Sequence, residues 1–188
     1  MIELLKKDLE RWYFFEGKPD KKASLWAVCK AIFTPRFAPV FICRLANFFY
    51  RHKLSPLAKL ASLVNFVVFG LEITIRCEIG PGLVFPHTSG TVIGSVRIGA
   101  NALIYHGVTL GARRMDVAFD PKTRPVVGDN VTIGAGAKVL GGLSIGNNAV
   151  IGANAVVTRS VPEGATVVGI PARIVKTGPK PEVSGPSI

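Results

Sequence analysis

The sequence predicts a mainly β protein, a solenoid of short parallel strands that follows an α-helical N-terminal region. Aliphatic residues recur every six positions in the second half of the chain, and the fifth place of each hexad is small or aliphatic as well. Gly, Asn and Asp crowd the places between these positions. Because a strand repeats every two residues and a helix every 3.6, a period of six with turn formers indicates a coil with three hexads in each triangular turn.

The repeat extends over most of the chain beyond Ile79. The aliphatic openers are Ile98, Ile104, Leu110, Val127, Ile133, Val139, Ile145, Ile151 and Val157. The fifth places are Ala102, Val108, Val131, Ala137, Leu143, Ala149, Ala155 and Val161. Upstream, Ile79, Phe85 and Thr91 open hexads, and a slip of one residue then moves the register to Val92. The alternative is an ordinary sandwich of evenly spaced strands, which nine openers in register disfavour.

A chain of 188 residues with 48% hydrophobic content can bury a substantial core. We expect one folding unit in consecutive parts. Residues 1–70 form a basic α-helical region, residues 71–165 form the coil with a loop ejected at 111–126, and residues 166–188 form a C-terminal segment with a Pro/Ser/Gly tail.

Two amphipathic helices are predicted in the N-terminal region, on either side of the helix-breaking Ser55-Pro56. Apolar residues repeat on one helical face between Phe41 and Phe49 and again between Leu57 and Val68. No uninterrupted apolar stretch reaches the roughly 18 residues that a bilayer-spanning helix needs. The N-terminus carries acids and no continuous apolar core, so we expect no secretory signal and a cytoplasmic protein.

The net charge of +11 is unevenly distributed. Between Lys21 and Leu71 there are no acids, and the cations are Lys21, Lys22, Lys30, Arg36, Arg44, Arg51, Lys53 and Lys59. One interpretation is that the helices form an oligomer interface and cap the open end of the coil, whose edge strands are unpaired. A second is that this basic, aromatic-rich surface rests on an anionic membrane. No recognisable nucleic-acid-binding motif is present, so we expect no nucleic-acid partner.

The cysteines and histidines bear differently on function. Cys29, Cys43 and Cys77 are far apart without metal-type spacing, so we interpret them as reduced structural thiols. His87 and His106 are both third in their hexads, one 18-residue turn plus the slip apart. They should therefore stack in adjacent coils, with backbones roughly 5 Å apart. His52, between Arg51 and Lys53, is expected at the surface of the helical region.

The six-residue repeat breaks after Leu110 and resumes in register at Val127. A loop thrown out of a regular coil often has a function, because regularity is what stabilises the repeat. This loop contains Arg113, Arg114 and Arg124, which suit an anionic ligand or substrate, although a solvated basic loop explains them as well.

Several short motifs stand in a characteristic order along the coil. They are GLVFPH at 82–87, VIG at 92–94, GVTLG at 107–111, TRP at 123–125 and VVGIPAR at 167–173. With the hexads, they make the chain resemble the serine acetyltransferase family of hexapeptide-repeat acyltransferases over about Phe41 to Val175. The resemblance implies a left-handed β-helix and transfer of acetyl from acetyl-CoA to a hydroxyl. It also implies a homotrimer, with the possibility of paired trimers, whose active sites lie between adjacent solenoids.

Carried over by position, the resemblance makes His87 the general base that takes the proton of the acceptor hydroxyl. Glu72, fifteen residues upstream, matches the family's aspartate that orients this imidazole. His106 stands where the family commonly has glutamine. We predict that it is an extra acceptor contact or a second proton carrier.

The resemblance also implies that the pantetheine arm of acetyl-CoA lies along the groove between coils, against small residues. The candidates are Gly111, Gly134, Ala135, Gly141, Gly152 and Ala153. For each glycine, a structural role in a turn is the equal alternative. Arg173 and Lys176 could meet the phosphates of the nucleotide. No metal is expected: a carbonic anhydrase of the same fold needs three coil histidines on zinc, and a third is missing.

The sequence departs from the family where the family holds serine. Pro86 replaces an aspartate beside the catalytic histidine, and Arg124 replaces a histidine of the loop. A further aspartate of the family aligns loosely with Lys18, and Asp20 nearby is the alternative match. The groups that would hold the ammonium of serine are lost at these places, and the cations gained at Arg124 and Lys18 would oppose it. The predicted acceptor is therefore a hydroxyl of a sugar, glycan precursor or exopolysaccharide unit, held by Arg113, Arg114 and Arg124. Serine as the acceptor is the alternative, and a non-catalytic scaffold at a membrane surface is the alternative from another class.

Overall fold

A helical region leads directly into a parallel β-helix in the computed structural model, which describes residues 1–178. Within these residues the helices are α1 (Ile2–Phe15), α2 (Leu25–Ala31), α3 (Ala38–Arg51) and α4 (Ser55–Phe69). Pro56 lies in the first turn of α4, where its missing N–H costs nothing, and Gly70 ends the helix in the left-handed conformation. None of these described helices is long and apolar enough to cross a membrane.

Short strands make up the coil. They are β1 (Leu71–Ile73), β2 (Glu78–Ile79), β3 (Thr91–Ile93), β4 (Arg97–Ile98), β5 (Leu103–Ile104), β6 (Thr109–Gly111), β7 (Val126–Val127), β8 (Thr132–Ile133), β9 (Lys138–Leu140), β10 (Ser144–Ile145), β11 (Val150–Ile151), β12 (Val156–Val157), β13 (Thr166–Val168) and β14 (Arg173–Lys176). A 3₁₀ turn, Pro121–Thr123, lies in the loop between β6 and β7.

The strands form three sheets, which are the three faces of the coil. Face A contains β1-β3-β6-β9-β12, face B contains β2-β4-β7-β10, and face C contains β5-β8-β11-β13-β14 in spatial order. All pairs are parallel except the terminal β13–β14 hairpin. The hexad openers and the fifth places are buried in one continuous core. The triangular coil predicted from the six-residue repeat is therefore confirmed.

Asparagines recur at one corner of the coil in the left-handed conformation that this residue tolerates better than most. Asn101, Asn130 and Asn148 follow the face B strands of successive coils with φ between 56° and 60°. The Asn101 Nδ2 donates to Asn130 Oδ1 over 3.0 Å. The left-handed turn at this corner explains why Asn stands between the inward positions of the repeat.

The register at one position differs from the prediction. Ile93, not Val92, pairs with Leu110 on face A. Ile93 is 1% exposed and Val92 is 36% exposed. The slip after Thr91 is thus two residues long, and the turn at Gly94-Ser95 is correspondingly shorter; two adjacent aliphatic residues concealed this from the sequence pattern.

A buried ion pair joins the helical region to the first coil. Arg44 of α3 donates to Asp8 of α1 over 2.8 and 2.9 Å, and also to the carbonyls of Ile79 and Gly80. The Leu83 N–H donates to the same carboxylate. Arg44 was expected at the basic surface with the other cations, and this expectation was wrong: its side chain is 2% exposed. Burial raises the pKa of Asp8, and the contacts with Arg44 oppose that rise.

Candidate functional site

His87 and His106 lie at the corner where face C turns into face A. Val84 pairs with Leu103, which sets His87 directly beside His106 in the next coil. Their ring centroids are 5.8 Å apart and the rings are nearly perpendicular, at 83°. The predicted stacking of these two histidines in adjacent coils is confirmed, and both side chains are exposed.

The same corner continues with small residues in the following coils. Ile104 pairs with Ile133, and Ile133 pairs with Ile151, so Ala135 and Ala153 follow His106 in line. We call His87, His106, Ala135 and Ala153 the corner column. The column changes from imidazoles to methyl groups, which leaves a low wall beside a pair of proton acceptors.

A cavity of about 380 Å³ opens beside His87. One wall comes from the coil, through Pro86, Thr88 and Ser89. The other comes from the helical region, and it consists of Pro35, Arg36, Val68, Phe69 and Gly70. The Thr88 hydroxyl donates to the Phe69 carbonyl over 2.7 Å, so the end of α4 is fixed to this wall. The catalytic candidate is thus framed by both parts of the chain.

Two further residues lie at this corner, and no sequence motif assigned either of them to the site. Arg36 lines the cavity beside His87, and it was counted only as one of the basic helical residues. Lys138 of β9 donates through Nζ to the Gly107 carbonyl, one residue after His106. Neither follows a motif, but Lys138 could have been found by placing it beside Thr109 in the stacked coils, which is its observed partner.

The candidate cofactor residues separate into two groups. Gly134, Ala135, Gly152 and Ala153 lie at the corner column or next to it. Gly111 and Gly141 lie at the other end of face A, where the Gly141 N–H donates to the Gly111 carbonyl over 2.8 Å. A Cβ on Gly134 would come within 2.6 Å of the backbone nitrogen of Ala153, so this glycine is required by the close stacking of coils. A Cβ on Gly111 would meet nothing within 4 Å.

The terminal cations are spread along the last hairpin. Val167 pairs with Ile151, which places Gly169 after Ala153 at the end of the corner column. Arg173 begins β14 immediately after this turn, whereas Lys176 lies opposite Thr166 at the far end of the strand. Both are exposed. Arg173 is therefore the nearer of the two to the corner column along the chain.

Glu72 lies on face A and not at the histidine corner. It is the outward residue of β1, opposite Val92, and it lines a cavity of about 580 Å³ that does not include His87. Among the hydrogen bonds and ion pairs of residues 1–178, none joins Glu72 to His87. The role of Glu72 as an orienting carboxylate stays a prediction.

The loop is held on the coil by Arg124 and Asp116. The Arg124 Nε donates to Asp116 Oδ2 over 2.9 Å, Nη1 donates to the Gly94 carbonyl, and the guanidinium stacks on Phe119 at 4.2 Å. Desolvation acts to raise the pKa of Asp116, but hydrogen bonds from Thr123 and Arg124 outweigh it and lower the pKa. Several hydrogen-bond donors of Arg124 are thus used in contacts within the protein.

The other loop arginines line a separate cavity of about 670 Å³. The Arg113 guanidinium donates to the carbonyls of Leu140 and Thr158. Arg114 is exposed at the same cavity. Since three-residue strands of face A, about 10 Å long, separate this corner from the histidines, one chain does not bring the arginines and His87 into one cavity.

Within residues 1–178, no group of three His, Cys, Asp or Glu side chains is placed to hold a metal ion. The same residues hold no disulfide: Cys29 is exposed, and Cys43 and Cys77 are buried as free thiols. The corner column presents two exposed imidazoles, side chains that can exchange protons, followed by the methyl groups of Ala135 and Ala153.

Comparisons with known proteins match this chain to hexapeptide-repeat transferases and, among them, to serine acetyltransferases. The family model described as bacterial transferase hexapeptide (six repeats) matches residues 124–159. A serine acetyltransferase of Staphylococcus xylosus is 48% identical over 133 residues, which are 70% of this chain and 60% of that protein. A serine acetyltransferase of Mycobacterium tuberculosis is 41% identical over 144 residues. The chain spans about 60% of the length of these curated relatives.

Solved structures give the same result. The crystal structure of Neisseria gonorrhoeae serine acetyltransferase matches with a TM-score of 0.80 at 32% identity, over 95% of this chain and 67% of that one. The serine acetyltransferase of Brucella abortus strain S19, in complex with coenzyme A, matches with a TM-score of 0.79 at 28% identity, over 95% and 69% of the two chains. The fold is the left-handed β-helix that the motifs implied.

Proposed function

We propose, from the premise that this chain belongs to the serine acetyltransferase family of hexapeptide-repeat transferases, that it transfers acetyl from acetyl-CoA to the hydroxyl of a small acceptor. The observation that carries the proposal is the corner column, with exposed imidazoles of His87 and His106 followed by Ala135 and Ala153. A base beside a low, narrow wall suits a hydroxyl nucleophile and a long thioester.

In the proposed reaction, the acceptor hydroxyl donates its proton to the neutral imidazole of His87 as its oxygen attacks the acetyl carbonyl. The tetrahedral intermediate then collapses by breaking the carbon–sulfur bond. The imidazolium returns the proton to the departing thiolate of CoA, so the enzyme ends in its starting state. His106, 5.8 Å away between ring centroids, is placed to contact the acceptor or the proton in transit.

The donor is proposed to lie along Ala135 and Ala153, with its phosphates toward Arg173. Support comes from the geometry of the column and from relatives solved with coenzyme A. The methyl side chains leave space for pantetheine, and a guanidinium is a good phosphate partner. Since acetyl-CoA is the donor, we place the reaction in the cytoplasm.

Two acceptors are proposed as alternatives, L-serine and a sugar hydroxyl. L-serine is supported by the relatives, all named serine acetyltransferases in the comparisons given above, and these favour it over a sugar. A sugar hydroxyl is supported by Pro86 and Arg124, which stand where the resemblance places two serine-binding side chains. Arg124 weakens that second argument, because its guanidinium is paired with Asp116 and so presents less charge to a ligand.

A homotrimer is proposed as the assembly. The loop arginines and Glu72 lie away from the histidine corner of their own chain. Packing of face A or the loop of one subunit against the corner column of the next would bring these groups together. In this arrangement, Glu72 would have its predicted orienting role only if the assembly brings its carboxylate into contact with a His87 imidazole.

The test is thiol release from acetyl-CoA by the purified chain, with L-serine and with a panel of sugars and glycan fragments, and with the acetylated product identified by mass. Serine-dependent release would establish the amino-acid acceptor and end the sugar alternative. Release with sugars and not with serine would establish the sugar acceptor and exclude serine. Release with neither, at concentrations where acetyl-CoA stabilises the fold, would contradict the proposed acceptors.

A further inference from the structure

We propose that the helical region docks on an anionic lipid bilayer, through an apolar face of α4 and the aromatic side chains around α2. The docking face is formed by Leu57, Leu60, Leu63, Val64, Val67 and Val68 of α4. Vesicle binding needs no substrate, so this proposal does not depend on the acetyl transfer.

The docking face is the outer side of α4. The opposite side of the helix buries Ala58, Ala61 and Asn65 against the rest of the protein. Leu60 and Val67, two helical turns apart on the outer side, are 57% and 71% exposed. Lys59 is the one charged residue of this helix. A soluble surface helix normally carries polar residues on its outer side, so this apolar side requires a partner.

Two aromatic side chains project from the segment that includes α2. Trp26 is 67% exposed and Phe33 is 90% exposed. The Lys30 Nζ lies 3.6 Å from the ring centroid of Trp26. An indole with an adjacent ammonium matches the membrane–water interface, where the ring enters the headgroup layer and the cation meets lipid phosphate.

The charge of the helical region favours an anionic partner. Seven of the eight cations between Lys21 and Leu71 are exposed. The eighth, Arg44, is buried in an ion pair with Asp8. No acid lies in that stretch. Glu16 of α1 lines a cavity with Lys21 and Lys30 and compensates part of this charge. In a symmetric pair of this region, the cations of the stretch would meet no carboxylate from the same stretch of the other copy. An anionic lipid surface compensates both the charge and the apolar area.

The two patches meet at the candidate active site. Pro35 and Arg36, close after Phe33, line the cavity of His87 together with Val68 and Phe69 at the end of α4. The corner column therefore begins where the proposed membrane contact ends. Docking would hold His87 near the plane of the headgroups, within reach of an acceptor presented there.

The experiment is cosedimentation of the full chain with vesicles of neutral phosphatidylcholine and with vesicles that contain about 30% phosphatidylglycerol, since anionic headgroups supply the attraction. We expect binding to the anionic vesicles that weakens as salt is raised. The double variant Leu60→Gln with Val67→Gln should bind at least about tenfold more weakly, because it removes two inserting aliphatic side chains. Lys30→Gln with Lys53→Gln should weaken binding to anionic vesicles by about thirtyfold, because each cation near the surface contributes about 1 kcal/mol.

The matched control is Met115→Gln with Val117→Gln, two apolar residues of the loop that are equally or more exposed and lie outside the helical region. It should bind vesicles like the unaltered chain. All variants change exposed side chains, and circular dichroism checks that they fold. Vesicle binding that is absent, or equal in the α4 variant and the control, would overturn the proposal. A change of oligomeric mass in the α4 variant without any vesicle binding would instead assign the face to a second copy of the chain.

Discussion

His87 and His106 share one corner, and substitutions can separate their roles. Replacing His106 with glutamine keeps a polar side chain but removes the second imidazole beside His87. We expect KM for the acceptor to rise about fivefold, since one neutral hydrogen bond contributes about 1 kcal/mol. Steady-state kinetics with the acceptor varied measures this. An unchanged KM and kcat would show that His106 has no part in acceptor binding or proton transfer.

The three cysteines differ in burial, and their reactivity should follow. Burial raises the pKa of Cys43 and of Cys77 to about 12. Thiolate is the reactive form, so these two thiols should resist alkylation at neutral pH while the chain is folded. Exposed Cys29 should be modified first. Mass spectrometry after iodoacetamide treatment, with and without denaturant, tests this; rapid labelling of Cys43 in the folded chain would refute the packing of α3 against the coil.

The coils stack so closely that a single methyl group distinguishes two glycines. Alanine at Gly134 would place its Cβ 2.6 Å from the Ala153 nitrogen, whereas alanine at Gly111 would meet nothing within 4 Å. We expect Gly134→Ala to lower the free energy of unfolding by about 1–3 kcal/mol, the usual cost of overpacking. Gly111→Ala is the control and should leave it nearly unchanged. Urea unfolding measures both, and equal stability of the two variants would contradict the stacking.

The ejected loop depends on Asp116, which accepts from both Arg124 and Thr123. Asp116→Asn should make trypsin cleave the loop several times faster at its exposed arginines, with Glu163→Gln, an exposed acid of the coil, as the control. Cleavage at the unaltered rate would show that the loop is held by other contacts.

The direction of the pKa shift of Asp116 determines how this contact depends on pH. Because the pKa of Asp116 in the folded chain is lowered from 3.8, its contribution to stability is complete above 3.8 and is lost as the pH falls through the lowered value. The difference in Tm between the unaltered chain and Asp116→Asn should therefore be full at neutral pH and shrink below 3.8.

Some features of the whole molecule could be predicted from its sequence, and others could not. The coil followed from openers such as Ile98 and Ile104, because a six-residue period leaves few alternatives, and the pairing of His87 with His106 followed from the same register. Long-range polar contacts left no such signal. Arg44 was placed with the surface cations because its partner, Asp8, lies 36 residues away in another helix. The register at Val92 was missed because Ile93 beside it is equally apolar.

Assembly lies beyond what one chain can specify. Because the resemblance to serine acetyltransferases implies a homotrimer, we expect analytical ultracentrifugation to give three times the mass of the chain. A monomer that is fully active would contradict the proposal that neighbouring subunits complete the site.

The central claim is that His87 is the base of an acetyl transfer. The most direct measurement compares acceptor-dependent thiol release from acetyl-CoA by the unaltered chain and by His87→Ala, at equal folded concentration and with thermal stabilisation by acetyl-CoA recorded for both. We expect kcat to fall between about a hundredfold and ten-thousandfold, with stabilisation by acetyl-CoA retained. Thiol release by His87→Ala at the unaltered rate would contradict the claim.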